Sequence, residues 1–489
     1  MSKPPVASST TRSSTCATNS RGALGETPQE LQQAIQSGLE HHWAGRLPQA
    51  EAIYQQVLQA DPRNADVLYL LGTIAYQVGK HDKAIELLER TLALKPGFAE
   101  ALSMRGNALQ ALKRHEDALA SFDRALSLNP QFADALCNRG SALQALKRYP
   151  EALASFDRAL AIKPDLAVAL SNRGNVLHAL KRYDEALASY DKALAVIPDY
   201  ADALNNRAAV LRDLKRYDEA LACYDQALAS KPDFTLAHLN RAHVLLDLKR
   251  QADAIAAYRQ ALAHGANAEE INYELAALGI GAVPSAPPPA YVTDLFDRYA
   301  DNFDQHLVST LKYQTPKLLL EQLARFCRSP EMDVLDLGCG TGLLGPLIRP
   351  LARTLIGVDL SANMLQKAAE RRVYDELIKA ELRQFLESRN GSFDLVIAAD
   401  VFVYLGDLSG VFAALRGALR GGGWCSFSVE ASDGDNFALT PAGRYKHSRG
   451  YCEKLASDHG FAVAQIEPRA IRHENGVDVN GYLVLMQRP

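Results

Sequence analysis

Small and apolar residues recur along the first half of the chain with a period of 34 residues. One column of this repeat holds a small residue in every block: Gly38, Gly72, Gly106, Gly140, Gly174, Ala208 and Ala242. The column twelve residues later is alanine throughout: Ala50, Ala84, Ala118, Ala152, Ala186, Ala220 and Ala254. Such a period accommodates two helices and a turn. The pattern predicts seven helical hairpins over residues 30–268.

Each block also carries a large side chain four residues after the alanine: Tyr54, Leu88, Phe122, Phe156, Tyr190, Tyr224 and Tyr258. Residues four apart share a helix face, so we expect these side chains to pack into the next repeat. All blocks but the last end near a proline: Pro62, Pro96, Pro130, Pro164, Pro198 and Pro232. Proline cannot continue a helix and therefore ends the second one.

The pattern changes after residue 268. Residues 269–292 are expected to hold a capping helix and a Pro-rich linker, GAVPSAPPPA at 281–290. From residue 293 to 489, short apolar runs alternate with helical stretches, which predicts βα units around a mostly parallel sheet. The last two runs are separated only by a loop, so an antiparallel pair at the sheet edge is expected.

Composition narrows the choice of compartment and partner. The Ser/Thr-rich residues 1–29 have no apolar core and are expected to be a disordered tail. A net charge of -4 and the lack of a Lys/Arg run argue against a nucleic-acid partner. The sequence contains no run of about 18 apolar residues, so it predicts no membrane span. The seven cysteines lack zinc-ligand spacing, so we expect no metal and a cytoplasmic location.

The segment DVLDLGCGTGLLG at 333–345 carries the clearest chemical signal. An apolar strand leads directly into Gly338, Gly340 and Gly342, where side chains would keep a ligand away from the backbone. Asp336 precedes these glycines and would repel a pyrophosphate, although it can accept hydrogen bonds from an amino group. Asp359 ends the next apolar run, where an acidic side chain can hold ribose hydroxyls.

The repeats resemble the tetratricopeptide repeat, whose arrays coil into a superhelix with a concave binding face. One polar column holds Asn138, Asn172, Asn206 and Asn240. It resembles the asparagine ladder in the repeats of O-linked N-acetylglucosamine transferase. This resemblance implies a protein or peptide partner gripped through its backbone. The alternative is that duplication has simply repeated a polar surface residue.

The last two-fifths of the chain resemble the class I S-adenosylmethionine-dependent methyltransferases, which have a Rossmann-like α/β fold. The resemblance implies S-adenosylmethionine as cofactor. Asp336 and the three glycines would surround its methionine part, and Asp359 would bind the ribose. Further residues are carried over by position: Leu360, Ser361 and Met364 beside the adenine, Glu381 in place of a family aspartate, and Asp400 and Tyr404 near the sulfonium.

The segment LFDRYADNFDQHL resembles the lid of small-molecule methyltransferases of the ubiquinone and biotin pathways. Phe296, Tyr299 and Phe303 would cover the cofactor, although Tyr299 could equally be a packing residue. The pairing of such a domain with tetratricopeptide repeats also resembles a group of predicted bacterial methyltransferases.

The best candidate for a general base is His447, which has Arg444 and Tyr451 close by in the sequence. A histidine at a surface or a helix start is the competing interpretation. Arg472 and His473 could bind an anionic substrate. The loop AADVFVYL lacks the Pro-containing motifs of DNA methyltransferases, so DNA is a poor candidate substrate.

These observations predict an all-α superhelix of seven repeats followed by an α/β methyltransferase domain. Three functions remain open. The enzyme could methylate a small molecule, with the repeats serving to bind another protein. It could instead methylate a protein that the repeats recruit. In the third, the chain is an adaptor with vestigial cofactor binding, which the intact glycines, Asp336 and Asp359 argue against.

Overall fold

A computed structural model describes residues 27–300, 303–305, 307, 311–327, 331–474 and 476–489 of the chain. Residues 1–26 of the predicted disordered tail lie outside the described residues. The described chain forms two compact units, one ending at Pro232 and the other running from Asp233 to Pro489. The division falls before the seventh predicted hairpin. The predicted domain boundaries remain predictions, and each unit is described by itself.

The first unit consists of six antiparallel helix pairs within the described residues. The helices are α1 (Pro28–Trp43), α2 (Leu47–Ala60), α3 (Ala65–Gln77), α4 (His81–Leu94), α5 (Ala99–Ala111), α6 (His115–Leu128), α7 (Ala133–Ala145), α8 (Tyr149–Ile162), α9 (Ala167–Ala179), α10 (Tyr183–Val196), α11 (Ala201–Asp213) and α12 (Tyr217–Ser230). The second helix of each pair ends two residues before the repeated proline, as expected for a residue that cannot continue a helix.

Close approach of the two helices in a pair depends on the small-residue column. A Cβ atom added to Gly140 on α7 would stand 2.7 Å from Cε1 of Phe156 on α8. Gly106 meets Phe122 and Gly174 meets Tyr190 in the same way. We expected the aromatic side chain to pack into the next repeat. The contact shown here is instead within its own repeat, because the glycine leaves room for a ring against the facing helix.

A repeated arginine also ties the pairs of the first unit together. Arg139 on α7 donates from Nε to Asp123 Oδ1 of the preceding pair at 2.6 Å. Its Nη1 donates to Ser155 Oγ on α8, also at 2.6 Å. The same arrangement recurs at three other arginines of this unit: Arg105, Arg173 and Arg207. Each guanidinium is largely shielded from water, so these bonds fix the register between successive pairs.

The second unit begins with the seventh helix pair and continues into a mixed sheet. Its helices are α13 (Thr235–Asp247), α14 (Gln251–Ala263), α15 (Ala268–Ala277), α16 (Pro289–Tyr299), α17 (Phe303–Gln305), α18 (Thr315–Leu323), α19 (Gly345–Ile348), α20 (Ala362–Glu370), α21 (Leu382–Glu387), α22 (Ser409–Ala418) and α23 (Arg449–Asp458). Its strands are β1 (Met332–Leu337), β2 (Ala352–Asp359), β3 (Glu376–Lys379), β4 (Phe393–Ala398), β5 (Leu419–Ala431), β6 (Phe437–Leu439), β7 (Tyr445–His447), β8 (Ala462–Glu474) and β9 (Val477–Gln487).

The strands follow the order β3-β2-β1-β4-β5, and β5 then pairs with both β7 and the antiparallel β9. Strands β1 to β5 are mutually parallel. The chain runs outward from β1 in one direction to β3 and returns beside β1 with β4. Ligands of such sheets bind at this reversal, outside the carboxyl ends of the strands.

The predicted fold class is confirmed: helical repeats precede a Rossmann-like sheet. The apolar runs of the sequence, DVLDL, TLIGVD, FDLVIAA, WCSFSVE, FAVAQIE and GYLVLMQ, correspond to β1, β2, β4, β5, β8 and β9. The expected antiparallel edge pair is β8 with β9. Prediction missed the short hairpin of β6 and β7, because its three-residue strands carry no clear apolar alternation.

The described residues include neither a membrane-spanning helix nor a metal-binding group of side chains. No helix there is both long and apolar enough for a membrane span. The same residues hold no group of His, Cys, Asp or Glu suited to a metal ion. The six cysteines in the described part of the chain are unpaired.

We predict that Gly140→Ala destabilises the first unit. The added methyl group would overlap the Phe156 ring, and overpacking of this kind costs about 1–3 kcal/mol. The matched control is Gly97→Ala, since a Cβ atom at Gly97 meets nothing within 4 Å. Thermal unfolding followed by helical circular dichroism should show a lower midpoint for the first variant only. Equal midpoints for both variants would contradict the proposed role of the glycine column.

Candidate functional site

One cavity lies at the carboxyl ends of β1, β2 and β4, where the sheet reverses direction. Its volume is about 270 Å³. Residues from the glycine-rich turn, the ends of two strands, the linker and the last strands all face it. They include Ala286, Pro287, Pro289, Val292, Phe296, Phe303, Tyr313, Asp336, Gly338, Gly340, Asp359, Leu360, Met364, Glu381, Asp400, Tyr404, Arg444 and Arg472.

The turn after β1 needs its glycines for different reasons. Gly338, Gly340 and Gly342 all have positive φ, at 70°, 54° and 77°. A Cβ on Gly338 would meet Val401 Cγ2 at 2.6 Å, and one on Gly342 would meet Tyr374 at 2.9 Å. At Gly340 a Cβ would meet only Phe303, at 3.8 Å. The backbone at Gly340 is therefore open to the cavity, as a ligand-binding turn requires.

Two buried carboxylates flank this turn. Asp359 Oδ2 accepts the Gly340 amide at 2.9 Å, and its Oδ1 accepts the Ser361 amide at 2.9 Å. Burial raises the pKa of Asp359 although these amides counteract the rise. Asp336 is 2% exposed and accepts the Tyr374 hydroxyl at 2.6 Å. Burial raises the pKa of Asp336 to about 7, against the lowering effect of that hydroxyl.

The residues predicted beside an adenine lie on the same side of the cavity. Leu360 and Met364 line it, and Ser361 is the N-cap of α20, accepting the Met364 amide at 3.1 Å. Glu381 also lines the cavity. Its carboxylate caps α21, however, accepting the amides of Arg383 and Gln384 at 3.1 and 2.8 Å. Much of its hydrogen-bonding capacity is thus already used.

The predicted lid segment is bonded to these elements through two aspartates. Ser361 Oγ donates to Asp297, and Asn363 Nδ2 donates to the Asp297 carbonyl at 3.0 Å. Thr341, in the glycine-rich turn, and Arg371 both donate to Asp304. These bonds place part of the segment over the glycine-rich turn.

The aromatic residues of the lid were predicted to cover the cofactor. Phe296 and Phe303 do line the cavity, and the Phe296 ring lies 5.1 Å from that of Tyr404. Tyr299 ends α16, but its side chain lies outside the described part of the chain. The role predicted for Tyr299 therefore remains a prediction.

Asp400 follows β4 at the cavity wall in an unusual backbone conformation. Its φ is 56°, in the left-handed region that costs about 1–2 kcal/mol for a residue with a side chain. Its Oδ1 accepts the Ser428 hydroxyl at 2.6 Å, and its Oδ2 lies 3.3 Å from Arg472 Nη1. Burial raises the pKa of Asp400, while Arg472 and Ser428 work in the opposite direction. Asp400 thus lines the cavity while both of its carboxylate oxygens are bonded to other side chains.

A buried charge network forms the far end of the cavity. Arg472, 6% exposed, contacts Asp400, Glu430 and Glu474. Arg444 donates to Glu430 at 2.9 Å and to Glu474 at 2.6 Å. Burial alone would lower the pKa of the Arg472 guanidinium. The negative charges of Asp400 and Glu430 have the larger effect, and the pKa is raised.

Arg472 and His473, which the sequence offers as binding groups for an anionic substrate, are both paired with acidic residues of the chain. Arg472 lines the cavity, yet its donors are engaged by carboxylates of the chain itself. His473 does not line the cavity, and its Nδ1 pairs with Asp478 at 2.9 Å. Because these groups are already paired, the placement does not favour an anion site at Arg472 and His473.

The structure does not support His447 as a base. Its side chain is fully buried on β7 and is absent from the cavity wall. Nε2 donates to the Gly406 carbonyl at 2.9 Å, and the ring stacks on Tyr451 at 5.7 Å. Burial lowers the pKa of His447 to about 4. A neutral ring without access to the cavity cannot take a proton from a substrate, and we no longer propose that role.

The asparagine column lies on the first helix of successive pairs, and its members are half-buried. Three of the amides donate to the preceding pair: Asn138 to Asn107 at 2.8 Å, Asn172 to Ser141 at 3.2 Å and Asn206 to Asn175 at 2.9 Å. Asn240 occupies the same position on α13. The column therefore links neighbouring helix pairs. Partner binding by the remaining hydrogen-bonding groups of these amides stays a prediction.

Sequence reasoning missed several residues of this site. Tyr313, which lines the cavity, and Tyr374, which bonds to Asp336, carry no motif, and only the fold brings them to the site. The sequence predicts only a linker at Ala286 and Pro287, whereas both residues line the cavity. Asp297 and Asp304 could have been noticed as repeated acids within the lid-like segment, although their partners are distant in sequence.

The buried His447 generates a pH-dependent prediction. Its folded pKa of about 4 lies below the usual value of 6.5, so the unfolded state binds more protons between these values. The stability contributed by the neutral ring is complete above pH 6.5 and is lost as the pH falls towards 4. From pH 7 to pH 5, this loss amounts to about 2 kcal/mol.

The measurement compares urea unfolding at both pH values for the wild-type chain and His447→Gln. In a Trp43→Phe background, Trp424 is the single tryptophan and reports on the second unit. The pH-dependent loss should be about 2 kcal/mol smaller in His447→Gln. His264→Gln, an exposed histidine of the same unit, is the control. An unchanged pH dependence in His447→Gln would refute the prediction.

Comparisons with protein families find a repeat part and a methyltransferase part in the chain. Residues 335–427 match the family model described as a methyltransferase domain. Models described as tetratricopeptide repeats match residues 44–108, 99–132, 131–198, 165–233 and 205–270. The matched methyltransferase segment contains the glycine-rich turn, Asp359 and Asp400.

Several curated proteins are similar to the catalytic part. The ubiquinone biosynthesis O-methyltransferase of Thiobacillus denitrificans is 31% identical over 22% of this chain and 49% of its own length. The malonyl-[acyl-carrier protein] O-methyltransferase of Legionella pneumophila is 28% identical over 29% of this chain and 50% of its own length. An 18S rRNA (guanine-N(7))-methyltransferase of Arabidopsis thaliana is 38% identical over 24% and 41%.

The chain thus spans about half the length of the curated relatives it matches. Their names cover small-molecule, carrier-bound and RNA acceptors, so they agree on methyl transfer and differ in substrate. Together with the helix pairs and the sheet, the matches identify the chain as a tetratricopeptide-repeat protein that carries a methyltransferase domain.

Proposed function

We propose that the protein uses S-adenosylmethionine to methylate a small-molecule acceptor, and that its repeats bind another protein. The observation that carries this proposal is a single cavity with two different halves. One half holds the open turn at Gly340 with Asp336 and Asp359, and the other is bounded by apolar side chains and the buried charge network.

The charges around the cavity fit a cationic cofactor. In the network, the three carboxylates of Asp400, Glu430 and Glu474 face the two guanidinium groups of Arg444 and Arg472. Asp359, and Asp336 in its ionised form, add to this excess. A dinucleotide would bring a pyrophosphate into a negative site, whereas a sulfonium would relieve the repulsion that accompanies these buried acids.

The residues of the chain would mainly bind, orient and exclude water. S-Adenosylmethionine supplies an activated methyl group when it is bound, so alignment of the acceptor is the main requirement. Asp336 would hold the methionine part of the cofactor and Asp359 its ribose, with Leu360 and Met364 against its adenine. Asp400 and Tyr404, at the end of β4, stand where the two halves of the cavity meet and would orient the acceptor.

The apolar lining of the acceptor half favours a small molecule. Residues from the linker, α16 and the loop after β4 bound it with apolar side chains, including Pro287, Val292 and Leu405. DNA is not proposed as acceptor, because acidic residues outnumber basic ones after residue 290.

A protein substrate recruited by the repeats is the second candidate. The asparagine column favours it, since an amide bonded to its neighbour through one N–H retains a further donor for a peptide backbone. An adaptor without catalysis is less favoured, because the glycines, Asp336 and Asp359 retain the features of a cofactor site. We also propose a cytoplasmic location, in keeping with the unpaired cysteines.

Methyl-labelled S-adenosylmethionine tests these alternatives in size-fractionated cell extract. The wild-type protein should label the small-molecule fraction, and Asp359→Ala should not. Loss of a carboxylate bonded to the Gly340 turn should weaken cofactor binding at least about tenfold in calorimetry, since a charged hydrogen bond contributes about 1.5–3 kcal/mol. The control is Asp458→Ala, at an exposed aspartate of the same unit.

The location of the label separates the three functions. Label in the macromolecular fraction would replace the small-molecule proposal with a protein substrate. Cofactor binding without label in any fraction would favour the adaptor. If Asp359→Ala bound the cofactor as well as Asp458→Ala does, the proposed cofactor site would be wrong.

A further inference from the structure

The linker between the last helix of the repeat region and the catalytic domain is docked at both of its ends and in between. Ser285, in its middle, accepts the Gly406 amide at 2.7 Å and the Asp407 amide at 3.1 Å through one carbonyl oxygen. The preceding carbonyl, of Pro284, accepts the Tyr445 hydroxyl at 2.8 Å. Three hydrogen bonds therefore fix two consecutive linker residues against the catalytic domain.

The residues that donate hydrogen bonds to the linker are themselves packed or bonded within the catalytic domain. Tyr445 is fully buried on β7, with its ring 6.0 Å from Phe437. The loop that carries Gly406 is fixed from its other side by His447, which donates to the Gly406 carbonyl. This gives His447 a positioning role in place of the catalytic one. The linker thus docks on a rigid surface and not on a mobile loop.

Helix α15, which precedes the linker, is attached to the same region. The buried Tyr273 donates its hydroxyl to the Gly443 carbonyl at 2.7 Å. Its ring lies 5.3 Å from Tyr291 and 6.4 Å from Tyr445. Tyr291 belongs to α16, so one aromatic cluster connects the helix before the linker, the helix after it and β7.

Docking brings linker side chains to the acceptor half of the cavity. Ala286 and Pro287 face it, followed by Pro289 and Val292 at the start of α16. Pro287 is buried, whereas Ala286 lies exposed at the rim. With prolines at 284 and 287–289, this segment has few conformations to lose and holds its shape without a regular hydrogen-bond pattern.

We propose that residues 284–289 form a specificity-determining wall of the acceptor pocket, against which an apolar part of the acceptor lies. This inference rests on the proposed methyl transfer and assigns the linker to the active site. The side chain at position 286 sets the width of the pocket at its rim. Pro287 and Val292 supply the apolar contact, on the side of the pocket away from the glycine-rich turn.

The test enlarges residue 286 in the full chain, with Ala286→Leu, Ala286→Phe and Ala286→Trp. The matched control is Ala290→Trp, an equally exposed alanine four residues later that does not line the cavity. Two quantities are measured. One is the dissociation constant for S-adenosylhomocysteine, by calorimetry. The other is the rate of label transfer from methyl-labelled S-adenosylmethionine to serial dilutions of the small-molecule extract.

Transfer should fall progressively from leucine to tryptophan, reaching at least about tenfold for Ala286→Trp, because a displaced acceptor loses alignment with the methyl group. The loss should be larger in dilute extract than in concentrated extract. Binding of S-adenosylhomocysteine should stay within about threefold of wild type, since residue 286 belongs neither to the glycine-rich turn nor to the residues proposed beside the adenine. Ala290→Trp should match the wild type in both measurements.

Equal transfer by Ala286→Trp and Ala290→Trp would overturn the proposal. So would a loss of S-adenosylhomocysteine binding in Ala286→Trp that parallels the loss of transfer, because the effect would then be a general disturbance of the fold. A wild-type protein that transfers no label would refute the methyl transfer itself, which is a different outcome from an active wild type with an equally active Ala286→Trp.

Discussion

The hydrogen bond from the Gly340 amide to Asp359 holds the catalytic site together. It joins the turn after β1 to the end of β2, two strands that are neighbours in the sheet. The turn can make this bond because three glycines adopt positive φ within five residues. With the turn so fixed, the backbone at Gly340 faces the cavity without a side chain in the way. Everything that would bind a cofactor is arranged around this bond.

A second constraint acts at the other end of the cavity. Two arginines and three carboxylates meet there around the buried pair of Arg472 and Glu430, and removing either member of that pair would leave a buried charge unpaired. The network joins residues from the end of β4, from β5 and from β8. It fixes the position of Asp400, whose left-handed backbone would otherwise relax. Rigidity on both sides suits a reaction governed by alignment of two ligands.

Sequence reasoning reached the architecture because its signals were local and repeated. The small-residue columns and the glycine-rich turn each follow from a backbone requirement that few residue types satisfy. Side-chain partners far apart in sequence could not be predicted in this way. Tyr374 bonds to Asp336 across 38 positions, and Arg472 reaches Asp400 across 72.

Some misses have a more specific cause. His447 has the chemistry of a base, but only the fold reveals that it lies behind the loop and not in the cavity. Lys147 occupies a left-handed turn position at φ 59°, where the first two repeats have Gly45 and Gly79. Lysine gives no hint of that conformation. The linker was read as a spacer from its prolines, and nothing in its composition indicated that its carbonyls would accept hydrogen bonds from a strand and a loop.

The arginine bridges give the repeats from α5 to α12 closely similar contacts with one another. Arg139 bonds backwards to Asp123 and forwards to Ser155, and the residue 34 positions after Ser155 is Ser189. If residues 140–173 were excised, Arg139 would meet Ser189 in the same geometry and keep its bond to Asp123. Array length can therefore change by whole repeats without any new contact having to evolve. Gene duplication and loss could tune the reach of this unit while the catalytic half stays untouched.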